Sequence, residues 1–254
     1  MKGDQEIQQA EKRISDSGYY PYRTAEMELE ELRADNAKLM GLFSRLMFER
    51  LEKWVQTAEE RFAGTNTICY VCPGNDDVFA VDPVIDRSRR LVRTEGRIVR
   101  LDEKIEMIST GFSNISPWKC PRDIPDEELG QKIEIMANRV VDMENCVFNL
   151  HSPPYDTILD KAPLLDQTQK IVVGVDGRPQ MASVGSQEVR KSIERYQPLL
   201  ALHGHIHESR GVARLGRTTC VNPGSEYQEG ILRGAIVKLN TDAKKVRSCQ
   251  LVSG

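Results

Sequence analysis

Three polar clusters in this chain begin where short apolar runs stop: PGNDD follows TICYV, NLHSPPYDT follows CVF, and HGHIHESRG follows PLLAL. Apolar runs this short suit buried strands. In α/β sheets the carboxyl ends of the strands are where polar side chains from distant parts of a chain are assembled into a site. Apolar runs at 67–72, 97–101, 104–110, 146–151 and 198–203 alternate with helical patterns at about 126–140 and 186–196. The closing segments GVARLGRTTCVN, RGAIVKLN and KVRSCQLV read as successive strands. The expected fold class is α/β, with helices layered on a sheet.

The chain has 254 residues, enough for one substantial core, and a single domain over 1–254 is expected. Its first part, 1–64, is helical and acidic, with 10 Lys and Arg against 13 Asp and Glu, and 65–254 contains the sheet and the site loops. Residues 24–62 read as helix in two pieces meeting near Asp35, which caps the second. Leu39, Phe43, Met47, Leu51, Trp54, Ala58 and Phe62 recur at three- and four-residue spacing, an apolar stripe expected to pack on the sheet. GYYPY at 18–22 suits packing at the helix entrance better than base stacking. Ser152–Ser186, rich in Pro, Gly and Asp, reads as a functional loop or irregular excursion.

Charged residues make up 29% of the chain, yet the formal net charge is only −3, so no global field draws it to nucleic acid or an anionic membrane. Six arginines between Arg87 and Arg100 form a phosphate-gripping patch or a solvated face. The lack of interleaved aromatics favours the face. No signal peptide or membrane-length apolar run is present, so a cytoplasmic location and reduced thiols are expected for the six scattered cysteines. Cys69 and Cys72 sit inside a strand pattern without a second pair, which favours a core role over zinc.

His203, His205 and His207 stand at every second position, so an extended strand end would point them the same way. Such a cluster suits metal binding better than the capping of backbone carbonyls. With His151 and Asn75 it makes a set of imidazole nitrogens and an amide oxygen, chemistry suited to Mn, Fe, Zn or Ni. Gly204 is expected to allow a bend where a side chain would clash.

In the order Gly74-Asn75-Asp76-Asp77, then His151, then Gly204-His205-Ile206-His207, the chain resembles the calcineurin-like metallophosphoesterases over about residues 65–230, including VNPGSEY. The resemblance implies a layered α/β/β/α sandwich and a hydrolase that cleaves phosphoester bonds with a metal-activated water. By that match Asn75, His151 and His205 bind one ion and His207 the other. Asp76 takes the catalytic position where many members carry histidine, and His203 has no ligand role. The family's D-x-H and G-D-x-x-[DN] motifs are absent, so the fold is expected to be incomplete at its N-terminal strands, with a companion chain a candidate source of them. Two divalent ions among neutral ligands would repel by several kcal/mol at about 4 Å even at an effective dielectric of about 20, so one ion or none is expected here. The implied substrate is a phosphorylated small molecule or a phosphodiester. The alternative is a non-catalytic phosphoesterase remnant that binds a partner.

Overall fold

A computed structural model describes residues 3–254, which divide into two compact units. The first comprises the chain up to Tyr70, Val78–Val92 and Glu226–Leu232; the second comprises Val71–Asp77, Arg93–Ser225 and Arg233–Gly254.

The first unit is mainly helical: α1 (Asp4–Asp16), α2 (Glu26–Ala34) and α3 (Asn36–Arg61). Asp35 separates α2 from α3 with an extended backbone, and its carboxylate accepts from the Lys38 amide, satisfying a donor that the helix cannot. Tyr20 packs edge-on against Phe43 at 5.4 Å, and the Arg45 guanidinium lies over Tyr22, so GYYPY braces α3. The apolar stripe, expected to be buried as a whole, is partly exposed. Leu39, Phe43 and Trp54 are 43%, 42% and 61% exposed, while Leu42, Leu46, Met47, Phe48, Leu51, Val55 and Ala58 are half-buried. Apolar residues occur around much of α3, so periodicity offered more than one face: part of the expected stripe (Met47, Leu51, Ala58 and Phe62) is half-covered together with Leu42, Leu46, Phe48 and Val55 outside it, and none is fully buried. Near the end of α3, Glu59 accepts from the Ser88 hydroxyl and the Arg89 and Arg90 amides, holding the turn that begins the arginine-rich segment.

After α3 the chain forms β1 (Cys69–Val71), α4 (Asp82–Asp86) and β2 (Leu91–Arg93), with β1 and β2 paired in a two-stranded ladder. The second unit continues with β3 (Ile98–Arg100), β4 (Glu106–Thr110), β5 (Ser113–Asn114), β6 (Asp123–Ile124), α5 (Asp126–Ala137) and β7 (Val147–Leu150). Then follow β8 (Lys161–Pro163), β9 (Met181–Ser183), α6 (Gln187–Tyr196), β10 (Leu200–Leu202), β11 (Gly211–Leu215) and β12 (Thr218–Asn222), and last β13 (Arg233–Asn240) and β14 (Lys245–Ser253).

The central sheet has the order β11-β12-β10-β7-β4-β3. Its four inner strands are parallel and both edge strands antiparallel, so the fold is mixed α/β. Register aligns Ile108, Phe148, Ala201 and Cys220 in one row across the parallel strands, each fully buried. Leu129 and Ile133 of α5 and Val189 and Ile193 of α6 complete that core. Asp126 ties the two helices together by accepting from the Ser186 hydroxyl and the Gln187 and Glu188 amides at the start of α6. The segment expected to be irregular, 152–186, contains an antiparallel pair, β8 with β9, extended by bridges at Leu165–Ile171 and Val173–Pro179. Among the described residues no helix is long and apolar enough to cross a membrane.

Candidate metal centre

The parallel arrangement places the carboxyl ends of β7 and β10 side by side. His151 follows β7, and its amide donates to the Thr110 carbonyl at the end of β4. Gly204 follows β10 and donates to the His151 carbonyl at 3.0 Å. The 204–207 loop is held by Asn222, a fully buried residue at the end of β12. Its Nδ2 lies 2.9 Å from the Ile206 carbonyl and 3.3 Å from that of Gly204, and its Oδ1 accepts from Gly224. The Ser225 amide donates to the His207 carbonyl, and a Cβ on Gly224 would stand 2.9 Å from that same oxygen.

Within this frame Asn75 Oδ1 lies 3.1 Å from His151 Nε2 and 3.1 Å from His205 Nδ1. The two imidazoles meet edge to face, with centroids 5.2 Å apart. His207 is exposed on the same loop and close enough to act electrostatically on both rings. Burial, helped by the neighbouring imidazoles, pushes His151 down to about 3, and burial also lowers His205 against the opposing pull of Asp123 and Asp76. Both rings are therefore neutral near pH 7. Because Asn75 Oδ1 only accepts, the facing ring nitrogens donate their N–H to it, and a change of tautomer would turn those nitrogens into lone-pair donors for an ion.

The loop strain falls on a different residue from the one expected. Gly204 does not adopt a positive φ, and a Cβ there would meet His151 only at 3.4 Å. It is His205 that adopts a left-handed conformation, φ +65°, which aims its ring at Asn75. Gly74 is the tighter position, since a Cβ there would stand 3.0 Å from the His151 ring. His203 is buried, with Nδ1 facing the carbonyls of Leu150 and Ser152 at 2.9 and 3.1 Å and not facing the other histidines' shared acceptor.

Asn75 sits in a turn closed by the Asp77 carboxylate, which accepts from Gly74, and by Arg122, whose amide donates to the Asn75 carbonyl and whose Nε donates to that of Asp77. Asp76 is exposed, and its Oδ1 accepts from the Cys120 thiol at 2.7 Å. Burial and this carboxylate push the Cys120 thiol up to about 11. Sequence reading missed Asp123, whose Oδ1 accepts from Asn75 Nδ2 at 3.0 Å. Burial alone would raise Asp123, but hydrogen bonds from Ser116, Asn75 and the Ser116 and Cys120 amides outweigh it and hold the carboxyl below its usual range. No local signal distinguishes this Asp from the acidic residues that follow it.

Among the described residues no group of three or more His, Cys, Asp or Glu side chains is arranged to hold an ion. The candidate centre depends instead on one amide oxygen with imidazoles.

No family model matches the chain. Over 153 residues it is 32% identical to Uncharacterized protein MJ1162 of Methanocaldococcus jannaschii, a stretch covering 59% of this chain and 61% of that relative. The chain thus matches less than two thirds of the relative's length. One crystal structure superposes with a TM-score of 0.58 at 19% identity, covering 98% of this chain and 83% of that one. The crystal structure of TT1561 of Thermus thermophilus superposes with a TM-score of 0.50 at 16% identity, covering 83% and 79%. At these identities the likenesses are of fold alone.

Proposed function

We propose that this chain is a metal-dependent phosphoesterase of the calcineurin-like metallophosphoesterase type, with the layered α/β/β/α sandwich of that family. The observation that carries the reading is the meeting of Asn75 Oδ1, His151 Nε2 and His205 Nδ1, from three separate strand ends, at 3.1 Å from oxygen to each nitrogen. Ligand atoms sharing one ion lie about 3.0–3.4 Å apart when each bond is about 2.1 Å, so the spacing fits a common centre. An amide oxygen with neutral imidazoles suits Mn, Fe, Zn or Ni, and three protein ligands leave room for water and substrate. His207, on the same loop, is the candidate ligand for a second ion.

A divalent ion bound there supplies Lewis acidity toward phosphoryl oxygens and acidifies water. The chain's own groups hold and orient. Asn75 presents an oxygen, His151 and His205 present ring nitrogens from backbones locked by the Thr110 and Asn222 contacts, and His205 keeps its aim through a strained φ. Asp76, exposed beside Asn75, is the candidate for proton exchange with the departing oxygen. A phosphorylated small molecule or a phosphodiester is the proposed substrate class.

With manganese, the purified chain is expected to release p-nitrophenol slowly from bis(p-nitrophenyl) phosphate, and EDTA or His205→Ala is expected to stop it. Turnover that survives both treatments overturns the reading. The neutral donor set favours one competing reading, a binding module without catalysis. It is distinguished by metal binding that His205→Ala abolishes in a chain that never turns over.

A further inference from the structure

We propose that Asp123 is the positioning residue that decides which end of the Asn75 amide faces the two histidines, an inference that rests on the metal-site reading above. An amide can present either its oxygen or its NH₂ group, and only the oxygen is a ligand. Asp123 lies in β6, 48 residues along the chain from Asn75. Its Oδ2 accepts from the Ser116 amide at 2.9 Å, the Ser116 hydroxyl at 2.6 Å and the Cys120 amide at 2.9 Å. Its Oδ1 has the Ser113 hydroxyl at 3.0 Å and Asn75 Nδ2 at 3.0 Å.

Two of these donors are backbone N–H groups, which cannot exchange roles, so the carboxylate is fixed with Oδ1 toward Asn75. An ionised carboxylate only accepts hydrogen bonds. The Asn75 amide must therefore turn its NH₂ group to Asp123 and its oxygen to His151 and His205. The opposite orientation would set two acceptor oxygens against each other at 3.0 Å. The same contact also brings a formal negative charge to within one side chain of a donor set that has none of its own, offsetting part of an ion's charge. Groups that orient a metal ligand in this way typically change metal affinity about 10–100-fold when removed, so about that loss is expected here.

The test is a Co²⁺ titration of the full chain followed by visible absorption, with thermal melting in EDTA as the measure of folding. In Asp123→Asn the fixed Ser116 and Cys120 donors claim the new side-chain oxygen, leaving NH₂ facing NH₂. The Asn75 amide is then driven to turn over, and Co²⁺ affinity is expected to fall about 10–100-fold with a changed spectrum. Asn75→Asp alone places two carboxylate oxygens 3.0 Å apart and is expected to weaken binding. In the Asp123→Asn background the same Asn75→Asp change gives the new amide an acceptor and keeps an oxygen toward the histidines, so affinity is expected to return to within about threefold of wild type.

That reversal of sign is the signature of orientation. If Asp123 only pinned the 113–120 loop, both Asp123→Asn variants would melt lower and neither would recover Co²⁺ affinity, which overturns the inference. Wild-type affinity and spectrum in Asp123→Asn overturn it as well. Should the single variant fail to fold, the double variant decides by the same criterion. Failure of the wild-type chain to bind Co²⁺ removes the metal-site reading first, and this inference with it.

Discussion

His205 carries two roles that substitution can separate, because its left-handed backbone and its ring are independent demands on one position. His205→Ala and His205→Gly both remove the ring and are expected to abolish Co²⁺ binding. Glycine adopts this positive φ without penalty, so urea unfolding should find His205→Gly more stable than His205→Ala by about 1 kcal/mol. Equal stabilities would mean that the backbone relaxes once the ring is gone. Gly111 illustrates a purely steric demand. A Cβ there would lie 1.6 Å from the Pro73 carbonyl oxygen, a backbone atom that cannot swing aside. Gly111→Ala is therefore expected to cost about 3 kcal/mol in the same assay. That Asn75, His151 and His205 would meet was legible because each stands in a polar cluster that ends an apolar run. Asp123 and Asn222 were not, since their contribution is a hydrogen bond to a group far along the chain.

The helices divide into those whose sequence pattern told which face is buried and those whose pattern did not. In α5 and α6 Leu129 and Ile133, and Val189 and Ile193, recur at four-residue spacing and all four are fully buried in the core, with only Ile135 of α5 a large apolar residue turned outward. Ile133→Ala should cost about 2–5 kcal/mol in urea unfolding. In α3 apolar residues occupy more than one face, and Trp54 on the expected face is 61% exposed. Trp54→Ala should therefore change stability by less than about 1 kcal/mol, and a core-sized loss would restore the burial expected of that stripe. The break at Asp35 was readable because capping is local chemistry between residues three apart. Asp35→Ala should cost about 1 kcal/mol, followed by circular dichroism on thermal melting.

Because Asn75, His151 and His205 come from three separated segments, an ion held by all of them is linked to the folding of the unit that brings them together. Cobalt at about a hundred times its dissociation constant should stabilise the folded state by about 2.7 kcal/mol, a shift of about 5–10 °C in Tm for a chain of this size. His205→Ala should remove the shift, and a shift that persists would place the ion elsewhere. The α/β class, the spans of the central strands, the break at Asp35 and the residues of the histidine-rich cluster were already present in the order of residues. Each depends on periodicity, capping or clustering over a few neighbours, where backbone geometry leaves few alternatives. Packing alone settled which face of α3 is exposed, the paired β8 and β9 within 152–186, the strain at His205 rather than Gly204, and the grip of Asp123 on Asn75. These depend on which atoms meet across tens of residues, and a hydrogen bond or a steric contact at that distance leaves no trace in local sequence.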